Sequence, residues 1–122
     1  MQKRKLSQLS RIAQLKREME LAELARLAGR KQDMHVQREE LSDAAREARV
    51  IAQASTPEAK TAELFTGWVS LRHAEIDDLI ARLNEEMVQQ KAKAALAVGR
   101  RDVLQQIESR VREAERLKRG RS

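Results

Sequence analysis

Apolar side chains recur along the first half of the chain at alternating spacings of four and three. From Leu27 the series passes through Lys31, Met34, Arg38, Leu41 and Ala45 to Ala48. The second half carries a matching series, read backwards as Leu83, Leu79, Ile76, Arg72, Val69, Phe65 and Ala62. Facing members have residue numbers adding to 110, as two antiparallel helices turning near residue 55 require. The pattern predicts Leu27 against Leu83, Met34 against Ile76, Leu41 against Val69 and Ala45 against Phe65, in heptad spacing of the coiled-coil kind. Two positions interrupt the seam: Lys31 faces Leu79, and Arg38 faces Arg72. Long basic side chains can lay their stems on such a seam and lift the charge into water. Further from the turn the same register sets Arg17, Glu20 and Leu24 against Lys93, Gln90 and Glu86, which is not a core. The apolar residues there are Ile12, Leu15, Met19, Leu21 and Met87, a shifted set that predicts a break in the heptad. Ala94, Ala97, Leu104, Ile107, Val111 and Ala114 then resume the stripe.

The turn has its own signature. Pro57 is the only proline in 122 residues, and proline belongs in the first turn of a helix, not its interior. Ser55 and Thr56 precede it and offer a hydroxyl cap, and Glu58, three residues after Ser55, can reach back. The predicted fold is all-α: a long two-helix antiparallel coiled-coil hairpin over residues 1–122, with helices at about 4–53 and 57–118 and a turn near 54–57. At 1.5 Å per residue these helices are roughly 75 Å and 90 Å long, so the C-terminal helix overhangs. Gly29 and Gly99 are soft points, each costing about 1 kcal/mol against Ala, and the terminal KRGRS is expected to fray.

Composition agrees with helices and limits the rest. Hydrophobic residues make up 41% and charged ones 36%, while Phe65 and Trp68 are the only aromatics. A hairpin buries one stripe per helix, so a partner is expected to complete it. No apolar run is long enough to cross a bilayer, and the basic start MQKRK lacks the apolar stretch of a secretory signal. The absence of cysteine removes disulfides and thiolate sites and is compatible with the cytoplasm.

The net charge of +6 is unevenly spread. Residues 1–30 sum to +5 and 91–122 to +6, whereas 31–60 sum to −1 and 61–90 to −4. Folding at Pro57 joins the two basic ends and leaves a mildly acidic tip, which suggests two different partners.

Candidate chemistry is sparse. His73 and Asp77 share a helix face at i, i+4, but a metal needs three or four converging ligands and no third is offered. The doublets Asp77–Asp78 and Glu85–Glu86 read as a solvated face, since a rod supplies no pocket to shift their pKa. No phosphate-binding glycine loop and no nucleophile beside a base occurs, so neither catalysis nor a cofactor is expected. Two partner-binding surfaces stand out. Phe65, Trp68 and Leu71 cluster near the tip, where Trp68 and Leu71 fall off the strict seam and can anchor a partner. Lys3, Arg4 and Lys5 on the first helix, with Arg112, Arg116, Lys118 and Arg119 on the second, form the basic end. Interspersed acids and the lack of aromatics among these bases weigh against nucleic acid.

The stretch LSRIAQLKREMELAELARLAGR, the loop ASTPEAKTAE, the aromatic segment FTGWVSLRHAEIDDLIARL and the basic GRRDVLQQIESRVREAERLK together resemble the FliJ family of bacterial type III export apparatuses. The resemblance covers nearly the whole chain as architecture more than as motif. It implies a non-enzymatic stalk similar in fold to the gamma stalk of rotary ATPases. Its paired terminal helices would enter a hexameric export ATPase, and its tip would contact the cytoplasmic domain of the export gate. It also implies binding of export chaperones and a cytoplasmic location peripheral to the inner membrane through those partners. A coiled-coil scaffold or homodimer, pairing through the stripes around Met19 and Met87, and a basic nucleic-acid-binding hairpin remain open beside it.

Overall fold

In the computed structural model, which describes residues 2–121, the chain forms two helices, α1 (Gln2–Ala52) and α2 (Glu58–Arg121), packed against each other as an all-α hairpin. Their composition of Ala, Leu, Glu, Lys, Arg and Gln explains the length of both, since these residues lose least on entering a helix. α2 continues through Lys118 to Arg121, beyond the expected end near residue 118; Ser122 lies outside the described residues. The turn occupies residues 53–57. The Ala59 N–H donates to the Thr56 carbonyl at 3.1 Å. That bond closes a tight turn over Pro57 immediately before α2, a place where the missing proline N–H leaves no helical bond unmade.

The chain comprises two compact units. One is the hairpin tip, Leu27–Met87. Here Leu27, Ala45, Ala48, Ala62, Val69, Ile76 and Leu83 are buried, with Ile76 at 0% exposure. Lys31, Met34, Arg38 and Leu41 on α1, and Phe65, Arg72 and Leu79 on α2, are half-buried between them. The expected seam is therefore the one that forms. Its register is fixed where a side chain reaches a backbone carbonyl: His73 Nε2 lies 3.2 Å from the Arg38 carbonyl, a pair adding to 111. The interruption at Arg38 and Arg72 is relieved sideways. Arg38 grips Asp77 through two bonds, Nε to Oδ1 at 2.8 Å and Nη2 to Oδ2 at 3.3 Å. Arg72 turns to Glu75 at 2.9 Å and to Gln37 at 3.3 Å.

The other unit joins Met1–Arg26 with Val88–Ser122. The expected break in the heptad does not occur on α1. Leu6, Ser10, Ala13, Arg17, Glu20 and Leu24 hold the inward positions in unbroken four–three spacing, so the stripe is kept by geometry even where its residues are polar. Ile12, Leu15 and Met19, expected to take over the core, are exposed instead. On α2 the inward stripe is Gln90, Ala94, Ala97, Arg101, Leu104, Glu108, Val111 and Glu115, which leaves Ile107 and Ala114 exposed. Gln90 is buried and donates from Nε2 to the Glu20 carbonyl at 2.9 Å, a pair adding to 110. A polar group at a core position satisfied in one alignment is a register lock. Arg101 adds a second cross-helix bond, Nε to Gln14 Oε1 at 2.8 Å.

Candidate functional site

In the tip unit, α2 carries Leu64, Trp68 and Leu71 along one helical face at i, i+4 and i+7. All three are exposed, Trp68 at 52% and Leu71 at 68%. Phe65 faces differently: it is half-buried beside the seam and supports Trp68, their ring centroids 6.0 Å apart and the planes inclined by 29°. The cluster thus divides, with Phe65 and Val69 in or beside the core and Trp68 and Leu71 outward. Leu64 was not among the sequence candidates; its place four residues before Trp68 was the available signal. Phe65 thus backs the exposed ring of Trp68, a residue type enriched where protein surfaces are bound.

The basic end lies in the other unit. Lys3, Arg4 and Arg112 line one shallow depression of about 470 Å³ with Leu6, Val111 and Glu108. Lys5, Arg116, Lys118 and Arg119 do not line it, though all four are exposed. The cluster is partly neutralised from within. Lys3 pairs with Glu115 across the helices, and Arg116 pairs with Glu113 at 2.7 Å. The hydrogen bond from Lys3, together with the charges of Lys3, Arg119 and Lys118, holds the Glu115 carboxyl below the usual glutamate range. Arg4, Lys5 and Arg112 make no ion pair among the described residues, so their charge is available to an acidic partner.

His73 is not the solvated surface residue that its position suggests. It is half-buried, with Nε2 at 3.2 Å from both Ser42 Oγ and the Arg38 carbonyl. A carbonyl only accepts, so Nε2 carries the proton here and His73 ties α2 to the α1 backbone. Asp77 is likewise engaged: its hydrogen bond from Arg38 holds the carboxyl below the usual aspartate range and raises the guanidinium in turn. Among the described residues no three His, Asp or Glu side chains converge on a point where a metal could sit. Among the described residues no helix is long and apolar enough to cross a membrane.

A third surface was missed by sequence reasoning. In the unit joining the two ends of the chain, Leu9, Ile12, Leu96, Gly99 and Val103 border an open apolar groove of about 670 Å³. Its signal was present in Ile12, which the heptad pattern misassigned to the core.

No protein-family model, curated protein or solved structure matches the chain.

Proposed function

We propose that the chain is a non-enzymatic helical adaptor of the stalk type used in bacterial type III protein export. Its basic end docks on the hexameric export ATPase, and the Trp68 surface engages the cytoplasmic domain of the export gate. Export chaperones are further partners, and the protein works in the cytoplasm, peripheral to the inner membrane through what it binds. The observation that supports this reading is the division of surface chemistry between the two units. The unit of Met1–Arg26 and Val88–Ser122 carries seventeen basic and seven acidic side chains, a formal +10. Leu27–Met87 carries eight and twelve, a formal −4, and holds the exposed Trp68. Two surfaces of opposite charge sign and different apolar content suit two partners of different chemistry. The helical architecture is consistent with the FliJ resemblance, and a helix about 10–12 Å across, or a pair of them, suits a ring's central channel.

The test is ATP hydrolysis by the cognate export ATPase, paired with pull-down on the gate's cytoplasmic domain. Reversing Arg112, Arg116 and Arg119 to glutamate abolishes stimulation of the ATPase and leaves gate binding intact. Trp68→Ala does the opposite. A wild-type protein that neither binds nor stimulates that ATPase overturns the stalk reading.

A further inference from the structure

The groove bordered by Leu9 and Ile12 of α1 and by Leu96, Gly99 and Val103 of α2 belongs to neither surface in the proposed function. It runs along α2 from Ala95 to Leu104, about 15 Å at 1.5 Å per residue. Ile12, Leu96 and Val103 are all exposed, so the hairpin itself leaves this apolar surface in water. The charged residues that line the groove are Lys16 and Arg100, and no carboxylate lines it. Arg100 makes no ion pair among the described residues, and Lys16 has only a long contact to Glu20 at 3.4 Å. An apolar floor with cationic rims in a unit of formal +10 fixes the chemistry of what fits.

We infer that this groove docks one amphipathic helix of a partner protein, with an apolar stripe of two to three turns flanked by Asp and Glu. Helix-in-groove recognition reads anchors at i, i+3 or i+4, and i+7, and about 15 Å of groove accommodates that span. The acidic flanks meet Lys16 and Arg100. A second copy of this chain is disfavoured at the same place, because groove against groove sets Lys16 and Arg100 of one chain against those of the other. A bilayer is disfavoured by shape: it takes a convex apolar stripe, whereas this surface is concave between two helices.

The inference stands apart from the stalk reading and is tested without any ATPase. The probes are three synthetic helical peptides sharing one leucine stripe at i, i+3, i+7, with flanks of glutamate, lysine or glutamine. Binding to the full chain is followed by fluorescence anisotropy across a salt series. The glutamate-flanked peptide binds at least tenfold more tightly than the lysine-flanked one, and salt narrows that gap. Ile12→Glu and Gly99→Gln each weaken it at least tenfold. Neither should lower the helical circular dichroism or the melting temperature of the chain, since Ile12 is exposed and a Cβ built at Gly99 meets nothing within 4 Å. Trp68→Ala leaves binding unchanged. Equal binding of the three peptides, or binding unaffected by both groove variants, overturns the inference. So does a mass that rises with concentration and returns to monomer in Ile12→Glu, which assigns the groove to a second copy. Binding to phosphatidylglycerol vesicles that Ile12→Glu abolishes assigns it to a membrane and overturns the inference as well.

Discussion

Arg38 and Asp77 show how a charged residue survives on an apolar seam. The guanidinium leaves the seam sideways and meets the carboxylate with two parallel bonds, the geometry in which arginine exceeds lysine. Asp77 is held below its ordinary pKa by that hydrogen bond, and Glu115 by the one from Lys3. The unfolded chain therefore takes up protons before the folded one does. The contribution of both groups is complete above the ordinary carboxylate pKa values, about 4, and is lost as pH falls through the depressed ones. Melting temperature should fall on acidification below about pH 4, and the double variant Asp77→Asn, Glu115→Gln should flatten that fall; an unchanged slope excludes these pairs as its source. Gly99 gives a second residue-level expectation. It sits in the interior of α2 with ordinary helical backbone and open space around a built Cβ. Gly99→Ala should then stabilise the chain by about 0.5–1 kcal/mol in urea titration, since alanine restricts the unfolded chain and favours helix. A loss of stability would mean that glycine is required by the fold itself.

Each helix is organised by spacing before chemistry. In the tip unit the two coincide, which is why Leu27, Val69, Ile76 and Leu83 were legible as core from the sequence. Ile76→Ala should cost about 2–4 kcal/mol, because the side chain is fully enclosed and its removal leaves a cavity. Leu41→Ala, at a half-buried seam position, should cost less in the same denaturant titration. Equal costs would indicate that the seam is uniformly wet or uniformly dry. Toward the chain ends spacing and chemistry part company. The inward positions of α1 pass to Ser10, Arg17 and Glu20, and an apolarity pattern cannot find a stripe whose members are polar. Gln90 illustrates the limit: read alone it breaks a core, yet its amide reaches the Glu20 carbonyl and holds the register. His73 was illegible for the same reason, its partners being an α1 carbonyl and Ser42, 31 residues away in sequence. Trp68 and Leu71 were readable as outward-facing only because they fall beside the heptad.

For the whole molecule, the two units differ in what they bury. The tip unit encloses Leu27, Val69, Ile76 and Leu83 with three alanines, whereas the buried residues described in the other unit are Gln90, Ala94 and Ala97. Its larger apolar side chains divide: Leu6, Leu24, Leu104 and Val111 are half-buried, while Leu9, Ile12, Leu15, Met19, Leu96 and Val103 face water. Burial of large apolar groups is the main stabilising term for packed helices, and alanine contributes little of it. Backbone hydrogen bonding is the same in both units, so the difference should appear as a difference in local opening free energy. In native-state hydrogen exchange, amides of residues 31–48 and 62–83 should be protected at least about tenfold more strongly than those of 6–20 and 94–108. Uniform protection along each helix would mean that the chain opens only as one cooperative body and that the sparse core is not a weak point. If the groove is the site of a docked helix, the glutamate-flanked peptide should slow exchange selectively in 6–20 and 94–108. The tenfold gap should then narrow without any change at Ile76, because binding supplies the apolar contacts that this part of the chain does not make for itself.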